Sequence, residues 1–154
     1  MKATVTWKGN TTFVGTGDKS GYPVQMDSEF NNGASPMELI ALGLAGCTAM
    51  DVIAILQKKR QNITHFDVKV DAPRAEEHPK VFTSAVITYV VTGSNVEENA
   101  LLRAIELSAT RYCPAHSMLE QVFPIELHYE IYEEEAGGEK RLVYQGAWQE
   151  VPQE

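Results

Sequence analysis

Two cysteines, a histidine and an aspartate carry the chemistry that this sequence could perform. Cys113 precedes Pro114, a residue suited to the first position of a helix, so its thiol is expected at the positive end of a helix dipole, where thiolate is favoured and the pKa lowered. His116 follows three residues later, over the same turn, and could add charge or act as a base. The competing reading makes Cys113 a small buried residue and His116 an exposed first-turn side chain, because free cysteine is among the most buried residue types. Cys47 lies mid-helix, where a dipole offers nothing and apolar surroundings leave a thiol inert. Gly43, Cys47 and Asp51, spaced i, i+4, i+8, share one helical face, and chemistry is expected there. A metal held by Cys47, Cys113 and His116 would match no standard ligand spacing, so no metal is assigned. No GxSxG-type elbow supports a Ser/His/Asp hydrolase.

The element that must position Cys47 runs from Ser35 to Arg60, and over that length a helix would be roughly 38 Å long. It opens on a capping signature. Ser35 can accept from the N3 amide, Pro36 sits where a missing N–H costs nothing, and Glu38 can reach back to the Ser35 amide. It closes on Lys58, Lys59 and Arg60, which suit the negative end of the dipole. From Leu39 to Met50 there is no charge on any face, and a helix apolar all round is expected to be buried all round. Those twelve residues are short of the ~20 that span a bilayer, so the segment reads as a core helix. Gly43 and Gly46 would let another backbone or a substrate approach.

Before this helix, Ala3, Val5 and Trp7 alternate with threonines as a strand with one buried face. Gly9 and Asn10 turn it into a second strand over 11–16, and 22–27 reads as a third. After it, the alternating 63–71 and the β-branched 81–92 form an antiparallel hairpin around the polar turn APRAEEHP. A helix capped by Ser94 or Asn95 runs to about Tyr112 with Leu101, Leu102, Ile105 and Ala109 as its stripe. Pro114 starts a short helix ending near Val122. Strands 125–132 and 141–148 flank an acidic turn at Gly137 and Gly138, and the last few residues are expected to fray. The reading is one α+β domain over residues 1–154.

A net charge of −8 and a pI near 5.0 give no basic stripe for nucleic acid. With neither leader nor anchor visible, the expectation is a cytoplasmic protein with no membrane association. Two distant cysteines make no disulfide framework and no CxxC motif, so any disulfide between them would be catalytic or regulatory in a reducing compartment.

The helix opening SPMELIALGLAGC and the second cysteine about 66 residues later in RYCPAHSML together resemble the OsmC/Ohr family of hydroperoxide-reducing proteins. The order of elements is similar over nearly the whole chain. The resemblance implies an OsmC-like α+β fold, with antiparallel sheets around a long central helix in an intertwined homodimer. It also implies a thiol peroxidase that works without a cofactor. Cys47 corresponds to the attacking cysteine and Cys113 to the resolving one, the reverse of the order that local electrostatics assigns. The family reduces organic hydroperoxides, here along apolar walls from Leu42, Leu44 and Met50. Its disulfide is reduced by an external dithiol such as a lipoylated protein. Two positions depart from the hydroperoxide reductases: no arginine precedes Arg60, leaving Lys8 or Lys19 as substitutes, and the helix-start glutamate falls at Met37, with Glu38 one position later. Glu38 and Cys47 lie on opposite faces, so Glu38 is not assigned to the site. The departures keep an alternative in view: a redox-sensing or small-ligand-binding dimer with weak or no peroxidase turnover.

Overall fold

The computed structural model describes residues 1–149 and divides into two compact units, Met1–Leu42 and the remainder from Gly43. In the first unit, β1 (Ala3–Gly9), β2 (Thr12–Gly17) and β3 (Pro23–Asp27) form an antiparallel sheet in that order. The first turn is made by Gly9 and Asn10, both at positive φ (117° and 45°), backbone that glycine and asparagine tolerate best. Pairing of Trp7 with Phe13 and of Gly15 with Val24 gathers Val5, Trp7, Phe13 and Val24 on one face. That face was expected to be buried, yet within the single chain Trp7 is 64% exposed. Three strands cannot cover their own face, so burial needs another layer. Asp27, by contrast, is buried and accepts from Thr11 (2.7 Å), Thr12, Asn32 and the Glu29 amide. The Thr11 hydroxyl, followed by the Glu29 amide, holds its carboxyl below the ordinary 3.8.

Helix α1 (Pro36–Lys58) starts on the expected box: the Ser35 amide donates to Glu38 Oε2 at 2.9 Å, and the Glu38 amide donates to Ser35 Oγ at 3.2 Å. It stops because Arg60 turns left-handed, at φ 55°. The Gln61 amide then reaches the Leu56 carbonyl and the Arg60 amide the Gln57 carbonyl, which satisfies two end carbonyls. Leu44, Thr48, Val52 and Leu56, at i, i+4, i+8 and i+12, are its buried stripe. The other faces are not buried by this chain, and Met50 is 73% exposed. Burial all round therefore fails at the level of one chain. A stretch of α1 has mean hydropathy 2.2, so by length and composition the helix is apolar enough to cross a membrane, which the shorter charge-free count did not reach. Its only charge between Leu39 and Gln57 is Asp51.

The second unit is built on a four-stranded sheet of β4 (Asn62–Asp71), β5 (Ala85–Ser94), β6 (Ile125–Glu134) and β7 (Lys140–Trp148), in that order. The outer pairs are antiparallel, but β5 and β6 run parallel, from Ala85 beside Ile125 to Gly93 beside Glu133. A parallel pair needs a long crossover, and the helices between Glu98 and Leu119 supply it. Val52 and Leu56 pack in one core with Ile87, Tyr89 and Val91 of β5, Leu127 and Ile131 of β6, and Leu101 and Ile105 of the crossover.

The crossover departs from expectation at both ends. Helix α2 (Glu98–Leu107) begins at Glu98, because Asn95 is left-handed (φ 53°) and its amide is held by the Glu133 carboxylate, so Asn95 does not cap. After Leu107 the coil widens into a π-turn, Ser108–Tyr112, closed by the Cys113 amide on the Ser108 carbonyl at 2.8 Å. Helix α3 (Pro114–Leu119) follows, shorter than the run to Val122. The fraying expected of the last few residues lies outside the described residues.

Candidate active site

The π-turn explains how Cys113 is delivered. One extra residue in the turn, then extended backbone (φ −80°, ψ 102°) ahead of Pro114, turns the thiol inward, and only 2% of the residue is exposed. Its sulfur accepts the His116 amide at 3.4 Å and stands at the N-cap of α3. Cys47, half-buried on α1, lies beside it, so residues 66 apart in sequence share one site.

The electrostatic outcome at Cys113 is opposite to the local expectation. Burial is the largest influence and pushes its pKa up from 9.0 to about 12; the His116 amide opposes the rise, while the Cys47 thiol and the Asp51 carboxylate add to it. A six-residue helix has little dipole to set against desolvation and a nearby negative charge. The thiol therefore rests protonated.

Beneath the cysteines runs a buried hydroxyl chain. Tyr89 OH and Thr48 Oγ1 are 2.7 Å apart, Thr48 Oγ1 and Ser108 Oγ 2.8 Å, and Ser108 Oγ donates to Asp51 Oδ2 at 3.1 Å. Each hydroxyl has one proton. Since Ser108 spends its proton on the carboxylate, Thr48 must donate to Ser108 and Tyr89 to Thr48, so the chain is polarised from Tyr89 to Asp51. Burial of Tyr89 pushes its phenol up to about 12. Tyr89, Thr48 and Ser108 were not singled out from the sequence. The available signal was Thr48 and Asp51, polar residues at i and i+3 in an otherwise apolar helix.

His116 does not serve Cys113 through its ring. The imidazole is buried, 3.6 Å from Glu120 through Nδ1, and burial lowers its pKa while Glu120 opposes. Neither ring nitrogen has a hydrogen-bond partner among the described residues. Nor do Cys47, Cys113 and His116 form a metal-binding group among those residues. A cleft of about 480 Å³ opens beside His116, Glu120, Leu127, His128 and Trp148, and neither cysteine lines it. Leu44, expected as a substrate wall, is in the core instead.

Comparison with known proteins bears on the fold and the family of the chain. Over 132 residues the chain is 39% identical to Protein YhfA of Escherichia coli strain K12, covering 85% of this chain and 98% of that protein. A hypothetical protein from Aquifex aeolicus VF5 superposes with TM-score 0.79 at 29% identity, over 87% of this chain and 97% of that one. The organic hydroperoxide resistance protein OhrB of Bacillus subtilis shares the fold at TM-score 0.55 and 17% identity, over 84% of this chain and 98% of its own. Residues 29–128 match the family described as OsmC-like protein, and the chain belongs to that family.

Proposed function

We propose that this chain is a thiol-dependent peroxidase for organic hydroperoxides, with Cys47 as the attacking and Cys113 as the resolving cysteine. The observation that carries the reading is the pairing of a half-buried Cys47 with a buried Cys113 from a distant part of the chain. A peroxide can approach only the first, and only the second is placed to finish the reaction. The Cys47 thiolate attacks the distal oxygen of the hydroperoxide, releases an alcohol and becomes a sulfenic acid. Cys113 condenses with it, water leaves, and an external dithiol reduces the disulfide. A lipoylated protein fits that role. The name of OhrB, an organic hydroperoxide resistance protein, supports the substrate class. The chain acts as a single domain over residues 1–154, in the cytoplasm, where such a disulfide is transient.

The same reading includes a homodimer. Ile40 and Leu42 of α1 and Val5, Trp7 and Val24 of the first sheet in one unit, and Met50 of α1 in the other, are exposed apolar side chains that one chain leaves uncovered. A second copy is the partner proposed.

A redox-sensing dimer with slow turnover is the second reading. It is favoured by the thiol of Cys113, pushed up to about 12, and by the occupation of Glu38 in the helix cap. Dithiol-driven consumption of cumene hydroperoxide and of hydrogen peroxide separates the two, comparing wild type with Cys47→Ser and Cys113→Ser. Sustained turnover of the organic peroxide that is lost in Cys47→Ser supports the peroxidase. One stoichiometric oxidation without turnover supports the sensor, and intact thiols after peroxide sink both.

A further inference from the structure

A buried protonated thiol cannot attack sulfur until something takes its proton. Around Cys113 stand Cys47 and Asp51 of α1, Tyr89 of β5 and His116 of α3, with Glu120 behind the histidine. Tyr89 is a donor in the hydroxyl chain and holds its proton more tightly than a free phenol. The His116 ring faces Glu120, and only its backbone amide reaches the sulfur. Among the described residues named here, the anionic acceptor left to Cys113 is Asp51. It is also the group that Ser108 anchors. The Ser108 hydroxyl donates to Asp51 Oδ2 at 3.1 Å while its carbonyl accepts the Cys113 amide at 2.8 Å. One residue thus ties the base on α1 to the backbone of the thiol in the crossover.

We propose that Asp51, held by Ser108, accepts the proton that Cys113 loses as its sulfur attacks Cys47. The assignment rests on Cys113 being the resolving cysteine. The proton passes to the Asp51 carboxylate, the Cys113 sulfur forms the S–S bond, and the S–O bond of the Cys47 sulfenic acid breaks. The departing hydroxide collects the proton from Asp51 and leaves as water. Cys113 is oxidised, the Cys47 sulfur is reduced, and Asp51 is regenerated. The same aspartate serves any leaving group on Cys47, because its work is done on Cys113. Ser108 is a positioning residue.

That generality allows a test without peroxide. In the full-length reduced protein, 5,5′-dithiobis(2-nitrobenzoate) first caps the accessible Cys47, releasing one thionitrobenzoate. Attack by Cys113 then releases the second, and Cys113→Ser should stop after the first. With Asp51→Asn, which can still accept from Ser108, the ratio of second-phase to first-phase rate at pH 7 should fall at least tenfold. The second phase should then climb about tenfold per pH unit up to pH 9, as hydroxide replaces the lost base, while wild type climbs less steeply. Ser108→Ala keeps the carboxylate but frees it, so the ratio should fall severalfold with the wild-type pH slope, and Ser108→Thr should restore it. A second phase unchanged in rate and slope in Asp51→Asn overturns the proposal, as does a Ser108→Ala protein indistinguishable from wild type. Cumene hydroperoxide with dimedone trapping tells this failure from that of the peroxidase reading. Asp51-dependent closure in a protein whose thiols ignore peroxide removes the peroxidase alone. Peroxide turnover with no extra trapped sulfenic acid in Asp51→Asn removes the role of Asp51 alone.

Discussion

The polarity of the hydroxyl chain makes Thr48→Val and Tyr89→Phe unequal, although each removes one oxygen from the same hydrogen bond. All three hydroxyl residues are almost wholly buried, with Tyr89 1% exposed. Tyr89 is the first donor, so Tyr89→Phe leaves Thr48 with its own donation to Ser108 intact and loses only one incoming bond, at about 1 kcal/mol. Thr48→Val strands the Tyr89 hydroxyl as a buried donor without an acceptor and takes a donor away from Ser108, at roughly 2–3 kcal/mol. The double variant has no stranded tyrosine, so its loss should fall short of the sum by roughly 1 kcal/mol or more. At ~2–4 °C per kcal/mol for a chain of this size, Thr48→Val should melt about 4 °C below Tyr89→Phe. Urea midpoints at one fixed protein concentration, with equal slopes, are the assay, because any self-association makes stability depend on concentration. Equal losses in the two single variants, or a double variant at the full sum, would refute the assigned direction of the chain.

Stability should decline at alkaline pH. Cys113 and Tyr89, ordinarily at 9.0 and 10.0, are both pushed up to about 12, so above pH 9 the unfolded chain holds fewer protons than the folded one. Their contribution is whole below about pH 9 and drains away towards pH 12; Cys113→Ala should flatten the start of that slope in urea midpoints taken from pH 7 to 11. Gly93→Ala would drive a methyl into the Asn62 carbonyl and the Val96 side chain where β4 meets β5, at a cost of roughly 3 kcal/mol or more by denaturation. A loss under 1 kcal/mol there would mean that the two strands separate readily. Met50→Glu puts a charge on the 73% exposed position of α1, so for the proposed homodimer sedimentation should show the mass falling from two chains towards one, with the fold retained by circular dichroism. A variant that sediments as wild type would remove this face from the proposed interface.

The parts of the fold that could be read in advance are those written within a few residues. Ser35, Pro36 and Glu38 specify the start of α1 because both halves of the capping box lie in one turn. Gly9 and Asn10 specify the first hairpin through backbone preference alone. The family resemblance implied that the two cysteines work as a pair, and the fold brings them side by side, whereas the local setting of Cys113 by itself pointed to a lowered pKa. Tertiary structure reversed that, since removing water from the thiol outweighs the dipole of a six-residue helix.

The parallel register of β5 with β6, the π-turn at Ser108 and the chain from Tyr89 to Asp51 were decided only by the folded chain. Tyr89 and Thr48 are 41 residues apart and Thr48 and Ser108 are 60 apart, so no local pattern of residue types links them. The sequence by itself determined where α1 begins, where the chain turns, and that an apolar helix would carry Cys47. Which faces of that helix are covered, that the Cys113 thiol is kept protonated and which carboxylate stands near it depended on long-range packing, because burial and hydrogen-bond partners are properties of the groups that meet in space.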